Sequence, residues 1–238
     1  MTEWAAKRFW TEATVEPEGT GFAVHLDGRP VKTPAKAPLV LPTEALGRAV
    51  AAEWDAQGEK IDPATMPFTR SANSAIDRVA PQHAEVAEIV AAYGESDLVC
   101  YRADSPAALV ARQAEAWDPL VDWARDALNA PLIMTVGVMH VPQPATTIET
   151  LRALVHRQDI FALTALHDLT MLSGSLVIGL AALEGHAAPE VLWALSRVDE
   201  DWQTEQWGED DEAAAVAARK RGDFLHAAAL HALSRPAG

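Results

Sequence analysis

Cysteine is almost missing from this chain: Cys100 stands alone among 238 residues. No intramolecular disulfide can form, which fits a reducing compartment. Bases are scarce too, with 19 lysines and arginines against 34 aspartates and glutamates and a formal net charge of −15. Such a surface argues against nucleic acid, whose phosphates demand positive charge, and against an anionic membrane face. The segment Met1–Trp10 shows neither an apolar signal core nor an arginine- and serine-rich transit pattern. A bacterial cytoplasm is therefore expected, or a matrix-like space reached after processing. Long apolar runs are absent apart from residues 162–183, and there His167 and Asp168 interrupt. A charge near the bilayer centre costs at least about 2.5 kcal/mol, so a buried helix or helical hairpin is expected rather than membrane insertion.

Catalytic signatures are missing as well. There is no glycine-rich phosphate loop and no dinucleotide fingerprint, and Gly19-Thr20-Gly21 reads as a turn before a strand. Gly174-Ser175 lacks the second glycine of a nucleophile elbow. Cys100 lies in an apolar Leu-Val-Cys-Tyr run and reads as a core thiol. The eight histidines are scattered; His226 and His231 are five apart, off one helical face. His167-Asp168 is expected to be a buried, satisfied polar pair. No catalytic residue, cofactor or metal site is expected. The alternative is a metal-dependent enzyme using the carboxylates near the C-terminus, and a second is a structural subunit of a stable complex.

What is present divides the chain. Phe22–Leu26 and Arg29–Thr33 flank Asp27-Gly28, a strong two-residue hairpin signal. Pro38–Leu41 offers another strand, and Thr43 is placed to cap a helix over Glu44–Gln57. Thr69 is placed to cap a helix through Val79, and Pro119 should kink or split the long helix that Pro106 opens. Pro131–Pro144 has strand-like composition, or is an extended connection. Helical segments follow over Thr147–His156, Phe161–Leu172, Ser175–Leu183, Pro189–Trp207 and Asp210–Leu233. The expected fold is α+β, with a small β-rich N-terminal domain over residues 1–68 and a larger all-α helical bundle over 69–238.

One stretch stands out. Residues 196–212 hold eight acids, and within the run only Arg197 opposes them. Like charges one helical turn apart repel by about 0.2–0.5 kcal/mol per pair, and solvation alone does not call for the two tryptophans among them. Aromatic anchors ringed by charge are the composition of a protein-binding patch. The candidate partner-binding residues are Trp202, Glu205, Trp207, Glu209, Asp210 and Glu212, together with Trp54. Structural readings compete: Asp210 can open the last helix, Trp202 and Trp207 can be core, and Leu46, Val50 and Trp54 share a core-like helical face.

Several motifs in order bring a family into view: Leu26-Asp-Gly-Arg-Pro-Val-Lys-Thr-Pro34, Glu53-Trp-Asp-Ala-Gln57, Met66-Pro-Phe-Thr69 with Ala75-Ile-Asp77, Ser96-Asp-Leu-Val-Cys-Tyr-Arg102, Gln113-x3-Trp117-Asp-Pro119 and the acidic Trp202–Glu212 run. From about Lys7 to Glu212 the chain resembles the assembly chaperones that bind the alpha subunit of the F-type ATP synthase catalytic head, found in mitochondria and alphaproteobacteria. The resemblance implies a non-enzymatic, cofactor-free monomer. Its partner would be an unassembled alpha subunit, covered until a beta subunit arrives. It also implies weight on an acid of the C-terminal motif, with Glu205, Glu209 and Glu212 as candidates, and matches Trp54 to the family's tryptophan in the Glu53–Gln57 motif.

Overall fold

The computed structural model describes residues 7–236; the leader-free reading of the first six residues lies outside them. Strands β1 (Ala13–Glu18) and β2 (Gly21–Leu26) pair antiparallel over their whole length, from Ala13 opposite Leu26 to Glu18 opposite Gly21. β3 (Arg29–Pro30) and β4 (Val40–Leu41) both add to β2. The turn between β2 and β3 is the expected one: Asp27 and Gly28 sit at φ 48° and 77°, the positive angles that a two-residue hairpin needs. Asp27 has a second task, since its carboxylate accepts the N–H groups of Thr11 and Glu12 at 3.0–3.1 Å.

Helix α1 (Glu44–Asp55) starts as its sequence suggests, with the Thr43 hydroxyl accepting the Leu46 N–H at 3.1 Å. Its Leu46 and Val50 are fully buried. Gly47 lets the helix lie close to β1, because a Cβ there would stand 2.8 Å from Cγ1 of Val15. Helix α2 (Pro67–Ser74) departs from expectation: Thr69 lies inside its first turn and does not cap it. The cap comes from α1. Glu53 accepts the Phe68 N–H at 2.6 Å, and its other oxygen takes the Thr69 N–H and hydroxyl at 2.7 Å. Pro67 occupies the first turn, so the remaining orphan N–H groups need an outside acceptor. Residues 75–79 then continue as a π-helical turn.

Contacts group the described residues up to 82, with 160–164 and those from 229 on, into one compact unit; residues 83–159 and 165–228 form another. The second unit is built from α3 (His83–Ala91), β5 (Tyr101–Arg102), α4 (Ala107–Leu128), β6 (Thr135–Val136) and α5 (Ala145–His156). Most of α6 (Ile160–Ser173), then α7 (Leu176–Leu183), α8 (Pro189–Leu195), α9 (Val198–Trp207) and most of α10 (Asp211–Ser234) complete it. The architecture is α+β, a small N-terminal sheet followed by a larger helical region.

Pro119 does not split α4, which runs unbroken for 22 residues. One lost backbone hydrogen bond is outweighed by a face on which Gln113, Trp117, Leu120, Val121 and Ala124 are all buried. Of Pro131–Pro144 only Thr135–Val136 is strand, paired parallel with β5. The single helix expected over Pro189–Trp207 is two, broken at Ser196 and Arg197.

The apolar run 162–183 is a helical hairpin. α6 ends at Gly174, whose φ is 72°, and Ser175 caps α7 through the Ile178 N–H at 3.0 Å. This turn is held by Asp97 of the Ser96–Arg102 motif. Its fully buried carboxylate accepts the Ser175 hydroxyl at 2.6 Å, the Val177 N–H at 3.0 Å and the Val99 N–H at 3.2 Å. Burial nevertheless pushes the Asp97 carboxyl up to about 6 against those donors. Cys100 beside it is a core thiol, pushed up to about 12 by burial and then by the charge of Asp97. His167 and Asp168 do meet, at 2.9 Å, but the pair is 39% and 45% exposed rather than buried. Among the described residues no helix is long and apolar enough to cross a membrane.

Candidate functional site

The acidic stretch is positioned by α4. Three residues at adjacent turns of that helix, Arg112, Gln113 and Trp117, reach α9 and the end of α8. The indole N–H of fully buried Trp117 donates to the Leu195 carbonyl at 2.7 Å. Gln113, also buried, donates to Asp199 at 2.6 Å while its oxygen accepts the Ala103 N–H at 2.7 Å. Arg112 binds Glu205 through two hydrogen bonds at 2.7–2.8 Å and lays its guanidinium over the Trp202 ring, 4.9 Å from the centroid. The hydrogen bonds from Arg112 hold the Glu205 carboxyl below its ordinary range and raise the guanidinium in turn. The motif residues Trp117 and Asp118 share a further neighbour: Arg102 stacks over the Trp117 ring at 5.4 Å and pairs with Asp118 at 2.7 Å.

Within the run only Arg197 opposes the acids, and the structure adds Arg112 from outside it. Arg112 lies 93 positions from Glu205 in the chain, so no window over the acidic stretch contains it. Arg197 does take part, bonding Glu200 at 3.0 Å. The front half of the stretch is therefore paired, and Glu205 does not simply face other acids.

The back half differs. α9 stops at Trp207, and Gly208 turns the chain at φ 92°, an angle side-chain-bearing residues rarely adopt. Trp207 is left 80% exposed. Asp210 opens α10: its carboxylate accepts the Ala213 N–H at 2.7 Å and its carbonyl the Ala214 N–H at 2.8 Å. Among the described residues the side chains of Glu209 and Glu212 have neither a hydrogen-bond nor an ion-pair partner. A groove of about 800 Å³ runs between α9 and α10, lined by Arg197, Asp201, Thr204, Trp207, Glu209, Glu212, Val216 and Lys220 among others. The structure thus brings Trp207, Glu209, Asp210 and Glu212 together on one groove. Trp202 is half-buried under Arg112 and lines a second groove with Trp207. Among the described residues no group of three or more histidines, cysteines, aspartates or glutamates could hold a metal.

Trp54 belongs to the other compact unit. It is half-buried, packs edge-on against Trp10 at 5.2 Å and continues the buried face of Leu46 and Val50. Its motif neighbours stitch the same unit. Asp55 accepts the Ala13 N–H at 2.9 Å, and buried Gln57 accepts from the Asp62 N–H at 2.7 Å while donating to the Glu53 carbonyl at 3.0 Å.

Comparison with known proteins gives a consistent picture. Residues 7–125 match the family described as ATP12 chaperone protein. The protein atp12, mitochondrial, of Schizosaccharomyces pombe is 22% identical over 219 residues, covering 87% of this chain and 75% of that protein. The crystal structure of Atp12 from Paracoccus denitrificans shares 52% identity and superposes with a TM-score of 0.95, covering 98% of this chain and all of that one. An aspartate-to-lysine mutant of the same Paracoccus protein gives 51% identity and a TM-score of 0.96 over the same 98%. With the helical arrangement shared over nearly the full length and the motifs in place, this chain belongs to the ATP12 family of chaperones for ATP synthase assembly.

Proposed function

We propose that the chain holds an unassembled alpha subunit of the F-type ATP synthase until a beta subunit replaces it, and that it does so as a cytoplasmic monomer without catalytic residues or a cofactor. The supporting observation is Trp207, presented 80% exposed at the Gly208 break on the same groove as Glu209 and Glu212. A solvent-exposed tryptophan is a costly thing for a free protein to display, and it is the residue type most enriched in binding hot spots. In this reading Trp207 is the anchor. Glu209 and Glu212 steer a basic client surface toward it, Asp210 sets the start of α10, and Trp202 with Glu205 holds the supporting helix. Trp54 contributes by keeping the first unit folded.

Co-expression with an orphan alpha subunit followed by size-exclusion chromatography tests this. The alpha subunit is expected to elute with the chaperone in an equimolar complex. Glu209→Lys, which places a like charge against a basic client at a cost of several kcal/mol, is expected to release it. The association rate should fall as salt rises through the screening range. An alpha subunit that aggregates or elutes alone beside the wild-type chain would overturn the proposal.

A further inference from the structure

A second feature of the helical unit points at a partner. Between α4 and α5, residues 133–141 carry six large apolar side chains on the surface: Ile133, Met134, Val136, Val138, Met139 and Val141, each between 39% and 93% exposed. Single exposed apolar residues are ordinary, but a contiguous run of them marks an interaction site. The run is not a frayed loop. The side chain of Gln143, buried itself, brackets it by accepting the Ile133 N–H at 2.8 Å and donating to the Ile133 carbonyl at 2.9 Å. Thr147 donates to the Pro131 carbonyl at 2.7 Å, β6 pairs with β5, and the Gly137 N–H reaches the Arg102 carbonyl at 2.8 Å. The backbone is tied down while the side chains are turned out. Two of the five methionines of the chain lie here, a residue suited to surfaces that must adapt to a partner.

The loop adjoins the tryptophans. Gly137 and Val138 form one wall of a groove of about 620 Å³ whose other wall carries Trp202 and Trp207. Its charged lining is acidic, with Asp104 and Asp199, and its one base, Arg102, is 10% exposed and already bonded to Asp118. An apolar slot with an acidic rim fits apolar side chains flanked by lysine or arginine.

We propose that the 133–141 loop is the second wall of the client site, and that it receives an apolar, basic-flanked segment of the unassembled alpha subunit against Trp202 and Trp207. The inference rests on the functional reading above. A photo-crosslinking amino acid placed at Val138 in the full chain, co-expressed with the alpha subunit, should give an adduct whose mapped peptide is apolar with flanking basic residues. The double variant Val138→Asp with Met139→Asp should keep the wild-type melting curve, since neither side chain is buried, and should capture the alpha subunit at least about tenfold more weakly. Val138→Ser with Met139→Ser repeats the test without added charge, so that a folding defect in the first variant does not decide it. If both double variants capture normally and no adduct forms while Glu209→Lys abolishes capture, the loop proposal fails and the functional reading stands. If capture is indifferent to Glu209→Lys as well, the loop proposal and the Trp207–Glu209 site fail together, and if the wild-type chain does not capture, the functional reading itself fails. If the loop variants change only the oligomeric state of the free chain, the loop is a self-association surface and the proposal is wrong.

Discussion

In the front half of the acidic stretch Asp199 and Glu205 are bound by Gln113 and Arg112 at 2.6–2.8 Å, whereas in the back half the side chains of Glu209 and Glu212 bind nothing among the described residues. Each half carries four acids, and one glycine separates them. The difference lies in what stands opposite. α9 runs along α4, which supplies a cation and an amide; past Gly208 the chain leaves that support. The comparison teaches that acids concentrated in sequence need not act together. One group builds the platform, and the other is left with charge and an exposed tryptophan to spend on a partner.

The platform can be broken at Trp117. This side chain is fully buried and donates to the Leu195 carbonyl, so Trp117→Ala should lower stability by about 3–5 kcal/mol, read in a denaturant melt. Client capture should fall with it, because α9 loses its seat. Wild-type stability would mean that α4 does not support the site.

A pH series sharpens the contrast between buried and exposed carboxylates. Asp97 is raised from 3.8 to about 6 in the folded chain, so the folded state binds more protons than the unfolded state between those values. Stability from this group therefore rises as pH falls from about 6 to about 4. At about 1.4 kcal/mol per pH unit the gain is roughly 3 kcal/mol. Glu205 has the opposite sign: its folded carboxyl is depressed by Arg112, so its contribution is present above about 4.5 and is lost on acidification. The pH dependence of unfolding of wild type minus that of Asp97→Asn should show the acid-side gain; a flat difference would refute it.

Charge reversal separates the two halves directly. Glu205→Lys sets a cation against Arg112 and should lower the melting temperature, modestly because the pair is exposed. Glu209 lies in neither helix and its side chain pairs with nothing among the described residues, so Glu209→Lys should leave the thermal melt unchanged. Equal losses in both variants would show that the halves do not differ.

The effect expected on stability at Trp207 is small too. Being 80% exposed, it should change the melt by less than about 0.5 kcal/mol when replaced by alanine, while tryptophan fluorescence no longer reports client binding. A large destabilisation would reassign it to the core.

Local rules carried much of this fold. The Asp27-Gly28 turn needs two positive φ angles that few residue pairs accept, Thr43 caps α1 because a hydroxyl before an amphipathic run satisfies an orphan N–H, and the buried run 162–183 turns at a glycine because only glycine adopts that angle cheaply. These are decided within a few residues and can be read from sequence alone. So were the concentration of acids and tryptophans and the family motifs. Tertiary structure alone decided the rest. Glu53 caps α2 from 15 positions away, displacing Thr69, and Arg112 answers Glu205 across 93. Pro131–Pro144 reads as strand by composition or as an extended connection, and only Thr135 and Val136 pair. Its apolar side chains face outward because Gln143 and Thr147 hold the backbone in place. Which acids are paired, which tryptophan is exposed and which apolar residues are left uncovered depend on partners distant in the chain, and those distances close only on folding.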